Sequence, residues 1–240
     1  MNVDVVLLPS QLQPSRLASR AVVVFDVLRA TTTMTAALQS GVRQIRIFDS
    51  IDAVRAVAAE SLGKHLLCGE SNCLPPDGFD LGNSPGAFNR PAHDGKTLLM
   101  STTNGTRAIC AAVQSDTMMI GALTNASAVA RLLQTMNRDV TLLCAGTNGQ
   151  VALEDILGAG AVIDSLVPAF CHLETDSALL AKDLFDLHKT DLRAVLSQTQ
   201  GGKNVIAAGL SKDIDFAARL NAATQVGHVL NNPLRVVQFP

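Results

Sequence analysis

Tryptophan and tyrosine are absent from this 240-residue chain, and aromatic side chains make up only 3% of it. The core must therefore be built from Ala, Val, Leu and Ile, which suits helices packed closely on a sheet. The same scarcity argues against single-stranded nucleic-acid binding, which relies on aromatic stacking platforms. Strong charge of either sign is also missing: 19 Lys and Arg against 21 Asp and Glu leave a formal net charge of −2. No basic run stands out that would neutralise a nucleic-acid backbone, so no nucleic-acid partner is expected. No stretch approaches the roughly 18–20 apolar residues of a membrane-crossing helix, and the opening MNVDVVLLPSQ lacks the basic flank of a secretory signal. The five cysteines, at 68, 73, 110, 144 and 171, are an odd, scattered set in mostly apolar contexts. They read as reduced thiols of a cytoplasmic protein.

What is present is a core-forming composition, 48% hydrophobic and 17% charged, long enough for one large α/β domain or two small ones. Apolar, β-branched runs at Val3–Leu8, Ala21–Phe25, Gln44–Phe48, Leu66–Cys68, Thr97–Met100, Thr117–Ile120 and Val140–Cys144 predict strands. Helical spacing of apolar residues marks Thr33–Gln39, Asp52–Ala59, Arg107–Val113 and Ser127–Met136 between them, with Gly41 and Gly63 placed as helix stops. The alternation predicts an α/β fold, a mostly parallel or mixed sheet with helices on both faces. The C-terminal portion reads as helical, at Leu153–Val167, Asp176–Leu187, Asp191–Leu196 and Asp213–Ala223, with Arg235–Phe239 returning as an edge strand. No Pro- or Ser-rich linker divides the chain, so a single domain over residues 1–240 is expected. Weak surface charge and an apolar helical tail are compatible with a homo-oligomer.

In open α/β sheets ligands bind beyond the carboxyl ends of the strands, where helix N-termini also point. Here those ends run into Asp26-Val27-Leu28-Arg29-Ala30-Thr31-Thr32-Thr33, Gly69-Glu70, Ser101-Thr102-Thr103-Asn104-Gly105-Thr106-Arg107 and Ala145-Gly146-Thr147-Asn148-Gly149. Thr-Asn follows three predicted strands, at 103–104, 124–125 and 147–148. Each Asp or Thr taken alone is more often a helix cap than a ligand. Brought together on one rim, they supply carboxylates without histidine, a set that favours a hard cation such as Mg²⁺. Arg29 and Arg107 would grip anionic oxygens, and the Thr31–Thr33 and Asn104–Thr106 helix starts would cradle a phosphate. The combination suits metal-assisted displacement at phosphorus. Familiar phosphate motifs fail. Arg90 stands where a P-loop ending at Gly95-Lys96-Thr97 needs its first glycine, and no cysteine has Arg six positions on. Leu28 occupies the place of the second Asp of an aspartyl-phosphatase start, and the histidines at 65, 93, 172, 188 and 228 lack zinc-ligand spacing.

Four blocks carry a resemblance. Phe25-Asp26-Val27-Leu28-Arg29-Ala30-Thr31-Thr32 is similar to the DVLRAT signature of the 2-phosphosulfolactate phosphatase family of coenzyme M biosynthesis. Gly78-Phe79-Asp80-Leu81-Gly82-Asn83-Ser84-Pro85 resembles its GFDLGNSP segment, and Thr102-Thr103-Asn104-Gly105-Thr106-Arg107 its TTNGT(R) segment. Cys144-Ala145-Gly146, Leu153-Glu154-Asp155 and Ala159-Gly160 resemble its CAG…LED…AG stretch. The blocks stand in the family's order over roughly residues 3–165, with a weaker echo at Gly209–Asp213. Ser71 stands where the family usually has arginine, and Gly201 where histidine is common. The resemblance implies Mg²⁺-dependent hydrolysis of 2-phospho-3-sulfolactate to 3-sulfolactate and phosphate by a phosphoric monoester hydrolase. On this reading Asp26, Glu70 and Asp155 are the catalytic or metal-site carboxylates, with Glu154 and Asp80 as further metal candidates. Arg29, Thr31, Thr32, Asn83, Ser84, Thr103, Asn104, Gly105, Thr106 and Arg107 would contact the small anionic phosphate ester. A non-catalytic anion-binding module and a phosphotransferase are the alternatives on the same scaffold.

Overall fold

The computed structural model describes residues 1–60, 65–166 and 171–240; Gly63 and Val167 lie outside that range. Its strands are β1 (Asn2–Val6), β2 (Ala21–Phe25), β3 (Gln44–Ile47), β4 (His65–Gly69), β5 (Thr97–Ser101), β6 (Thr117–Gly121), β7 (Val140–Cys144), β8 (His172–Leu173), β9 (Gly227–Leu230) and β10 (Arg235–Gln238). Its α-helices are α1 (Ala30–Gln39), α2 (Ile51–Glu60), α3 (Arg90–His93), α4 (Gly105–Ala111), α5 (Ala126–Met136), α6 (Leu153–Ser165), α7 (Asp176–His188), α8 (Leu192–Gln198), α9 (Gln200–Ala207) and α10 (Ser211–Ala217). The fold is α/β with a mixed sheet and a helical C-terminal portion, as the alternating pattern predicted.

Among the described residues one ten-stranded sheet runs in the order β4-β5-β3-β10-β9-β6-β2-β7-β1-β8. All five residues of β2 are fully buried, which is why that stretch is continuously apolar rather than alternating. On one face Val23, Phe25, Val5 and Leu142 pack against α5, α6 and α7 through Val129, Leu133, Val162 and Phe185. On the other, Val22, Val24, Ile45, Met100 and Val236 pack against α1 and α4 through Met34, Leu38 and Ile109.

The sheet is two parallel blocks joined by an antiparallel hairpin. β4, β5 and β3 form one block, and β6, β2, β7, β1 and β8 the other. β10 pairs antiparallel with β3, β9 antiparallel with β10, and β6 antiparallel with β9. Three reversals give the two blocks opposite sense, so the carboxyl ends of β5 and β2 belong to opposite edges. Five inter-strand steps separate these strands, and at roughly 25° of twist per step the sheet turns through more than a right angle. That rotation swings the loops after β2 and β5 toward one another. The single-rim picture of an open parallel sheet is thereby corrected.

The last segment is also corrected: β10 lies in the interior of the sheet, not at its edge. Its partner β9, with the sequence Gly-His-Val-Leu, is too short to announce itself. The Asn231-Asn232-Pro233 turn between the two was the available signal. Helix α9 was missed because Gly201 and Gly202 occupy its first turn. The Thr199 side chain caps it, accepting from the Gly202 amide at 3.0 Å. Replacing the fully buried Val236 by Asp would place an unpaired charge at the junction of the blocks. Val236→Asp is expected to cost about 4 kcal/mol or more in urea unfolding. A midpoint within error of the parent would contradict the bridging assignment.

Candidate active site

The loops after β2, β4, β5 and β7 meet under α9 around a cleft of about 520 Å³. Its lining includes Asp26 and Arg29 from the first loop, Glu70, Asn72 and Cys73 from the second, and Thr103 and Asn104 from the third. Thr147 and Asn148 come from the fourth, Asn83 from the segment leading to α3, and Gly201, Asn204 and Ala208 from α9 and its end.

Asp26 closes β2. Its Oδ1 accepts from the Ala30 amide at 3.2 Å, drawing the first turn of α1 back over it. A Cβ on Gly105 would fall 2.7 Å from Asp26 Oδ2 and 2.6 Å from the Ala30 methyl, so only glycine lets α4 begin this close to the carboxylate. Burial pushes the Asp26 carboxyl up to about 7, with the charges of Glu70 and Glu154 adding to the rise and the Ala30 and Gly105 amides opposing it. Asp155, on the first turn of α6, accepts from Val27 N at 2.8 Å and Gly146 N at 3.0 Å. It clasps the β2 and β7 loops together. Burial, then the charges of Asp26 and Glu154, hold its carboxyl well above the usual range.

Glu154 is 1% exposed, and among the described residues neither of its carboxylate oxygens has a hydrogen-bond partner. Burial raises its pKa. The Thr199 hydroxyl and the Gly201 amide lie near enough to temper that rise, although neither completes a bond of regular geometry. A side chain at position 201 would run into Glu154 Oε1, so the glycine at this point keeps the carboxylate uncovered by side-chain atoms. Asn83 Oδ1 is likewise buried without a partner among the described residues.

Glu70 is a second clasp, accepting from Thr103 N at 2.7 Å and Cys73 N at 3.0 Å, so the loops after β4 and β5 share one carboxylate. Arg29, 3% exposed, donates through Nη1 to Asp213 at 2.8 Å and to the Ser84 hydroxyl at 3.2 Å, and through Nη2 to the Cys73 carbonyl. Asn104 Oδ1 accepts from the Asn148 amide at 3.2 Å, linking two of the three Thr-Asn pairs across the cleft. The middle pair, Thr124-Asn125, does not line the cleft; Asn125 instead accepts from Ala122 N and donates to the Gln225 carbonyl.

Several candidates are placed elsewhere. Asp80 Oδ2 accepts from Leu67 N at 2.8 Å beside β4 and does not line the cleft. Arg107 is exposed on α4, outside the cleft lining, with no hydrogen bond or ion pair among the described residues. The threonine hydroxyls are taken by backbone: Thr31 donates to Asp26 O, Thr32 to Val27 O and Thr106 to Thr102 O. They hold the strand-to-helix turns closed. Ser84 faces Arg29 and Asp213. Asn72, Asn148, Asn204 and Asp213 were not singled out from sequence; the Thr147-Asn148 pair and the Gly209–Asp213 echo were the signals for two of them. Among the described residues no three His, Cys, Asp or Glu side chains converge as a ready-made metal cage.

The family model for 2-phosphosulpholactate phosphatase matches residues 6–232. A probable 2-phosphosulfolactate phosphatase from Carboxydothermus hydrogenoformans is 36% identical over 95% of this chain and 94% of its own. Another from Thermotoga petrophila is 34% identical over 99% of this chain and 100% of its own. One from Symbiobacterium thermophilum is 37% identical over 87% of this chain and 90% of its own. The chain belongs to the 2-phosphosulfolactate phosphatase family.

Proposed function

We propose that this protein hydrolyses 2-phospho-3-sulfolactate, or a similarly small acidic phosphate monoester, to 3-sulfolactate and phosphate, with Mg²⁺ as cofactor. The observation that carries this reading is the buried acid cluster of Asp26 and Glu154 beside a cleft that also holds the Arg29 guanidinium. The donor set fits Mg²⁺: it is all oxygen, and the two Glu154 oxygens are buried without partners among the described residues. The lack of a three-residue cage is no obstacle, since Mg²⁺ retains waters and is often held by one or two carboxylates plus substrate phosphate. Asp26 and Glu154 would hold it. Bound there, it would neutralise charge on the phosphoryl oxygens.

The remaining work falls to the protein. Arg29 uses its uncommitted N–H groups on phosphate oxygens. The amides of Asn72, Asn104, Asn148 and Asn204 line the rest of the cleft and offer neutral donors to the sulfonate and carboxylate. Glu70, with a second lone pair on each oxygen, orients the attacking water and takes up its proton. The new water O–P bond forms as the ester P–O bond breaks, and the leaving alkoxide is protonated from solvent in the open cleft. A cytoplasmic setting belongs to the same reading, supported by five free thiols and by the absence, among the described residues, of any helix long and apolar enough to cross a membrane.

Phosphate release from phosphosulfolactate and phospholactate should require Mg²⁺ and stop with EDTA. Asp26→Asn and Glu70→Gln should each lower kcat about a thousandfold with the fold intact by circular dichroism. Metal-independent turnover, or phosphate binding without hydrolysis of any ester, would defeat the reading.

The electrostatics make a separate prediction for metal-free protein. The folded state binds the Asp26 proton more tightly (pKa about 7 against 3.8 for an unperturbed aspartate), so folding takes up a proton between those values. Stability is therefore lost as pH rises through 7. In EDTA the thermal midpoint should fall by several degrees between about pH 5 and pH 8. Asp26→Asn should flatten that slope and raise the midpoint at pH 8. A midpoint that rises with pH would contradict the buried-acid assignment.

A further inference from the structure

The Arg29 guanidinium is gripped from three directions. Nη1 donates to Asp213 Oδ2 at 2.8 Å and to Ser84 Oγ at 3.2 Å, and Nη2 donates to the Cys73 carbonyl at 2.6 Å. Ser84 Oγ in turn donates to the same Asp213 oxygen at 2.8 Å. Arg29 and Asp213 are 3% and 5% exposed, so the pair lies where losing one partner leaves the other charge uncompensated. A guanidinium carries five N–H donors. These contacts engage three of them, leaving the Nε hydrogen and one Nη2 hydrogen uncommitted among the described residues, on a side chain that lines the cleft. Asp213 itself does not line the cleft. It sits on α10, separated from Arg29 by 184 positions along the chain.

Resting on the reading that the cleft takes a phosphate ester, we infer that Asp213, with Ser84 sharing its Oδ2, is the positioning residue for Arg29. It fixes the guanidinium plane so that the two free N–H groups are presented together to phosphate oxygens. Without that anchor the arginine keeps its charge but loses its orientation, and paired recognition of an oxyanion depends on orientation. Helix α10 thereby governs ligand affinity, while the carboxylates govern the rate of P–O cleavage.

Calorimetric titration of inorganic phosphate, run beside steady-state kinetics, tests this with Asp213→Asn, Asp213→Glu, Ser84→Ala, Arg29→Met and the double variants. Asp213→Asn should weaken phosphate binding and raise KM by about tenfold or more, with kcat within about threefold. Asp213→Glu should restore part of the affinity, and Ser84→Ala should act in the same sense as Asp213→Asn but less strongly. In the Arg29→Met background neither Asp213→Asn nor Ser84→Ala should weaken binding further, because each acts through Arg29. Additive losses, unchanged affinity in Asp213→Asn, or a fall in kcat at constant KM would overturn the inference. If Asp213→Asn fails to fold, the Ser84→Ala and Arg29→Met cycle decides alone. Wild-type protein that binds phosphate but cleaves no ester contradicts the proposed activity and leaves this inference standing; wild-type protein that binds no phosphate overturns it.

Discussion

Buried carboxylates cannot all be ionised side by side unless something opposes their charge. Asp26, Glu154 and Asp155 are each at least nine-tenths buried, and their raised pKa values follow from burial reinforced, at Asp26 and Asp155, by neighbouring carboxylates. A fold that only needed stability would place apolar groups here. This one instead directs backbone amides at the acids: Ala30 toward Asp26, and Val27 and Gly146 toward Asp155. The turns after β2 and β7 supply those amides, and the Thr31 and Thr32 hydroxyls that close the first of them serve the same geometry. Glu154 has the Thr199 hydroxyl and the Gly201 amide nearby but completes no regular hydrogen bond among the described residues, which makes it the point where an external cation would relieve the cluster most.

The architecture explains how the acids meet an arginine and an amide-rich wall. Had the sheet been a single parallel block, the loops after β2, β5 and β7 would share one edge with little need for curvature. The C-terminal hairpin reverses one block against the other, and accumulated twist brings the loops together again across the face that packs α1 and α4. The last residues of the chain thus shape a site whose carboxylates come from the first two thirds. Helix α9 then covers it, contributing Asn204 to its wall, while α10, outside the lining, contributes Asp213 to the support of Arg29.

Much of this was legible in the residues. Runs such as Ala-Val-Val-Val-Phe at 21–25 are unambiguous because a strand buried on both faces tolerates no polar position, and Asp26, Glu70, Thr103 and Asn104 fell at strand ends where ligands gather. The hairpin was not legible as such: four-residue strands containing Gly227 and His228, or Arg235, carry too little periodicity to fix their place in a sheet. Nor could spacing tell a threonine that faces a ligand from one that closes a turn. Thr31, Thr32 and Thr106 have the composition of a phosphate cradle, yet spend their hydroxyls on backbone carbonyls. Asp80 and Arg107 sit in motif-like segments but outside the cleft lining, since a motif constrains the backbone of a loop as much as its side chains.

In the metal-free protein, burial makes the acid cluster retain protons near neutrality. Proton release on Mg²⁺ binding tests this most directly, measured by calorimetry at pH 7 in buffers of different ionisation enthalpy. Roughly half to one proton should be released per ion bound, and that release should be lost in Asp26→Asn. Mg²⁺ binding with no linked proton, or with the same release in that variant, would contradict it.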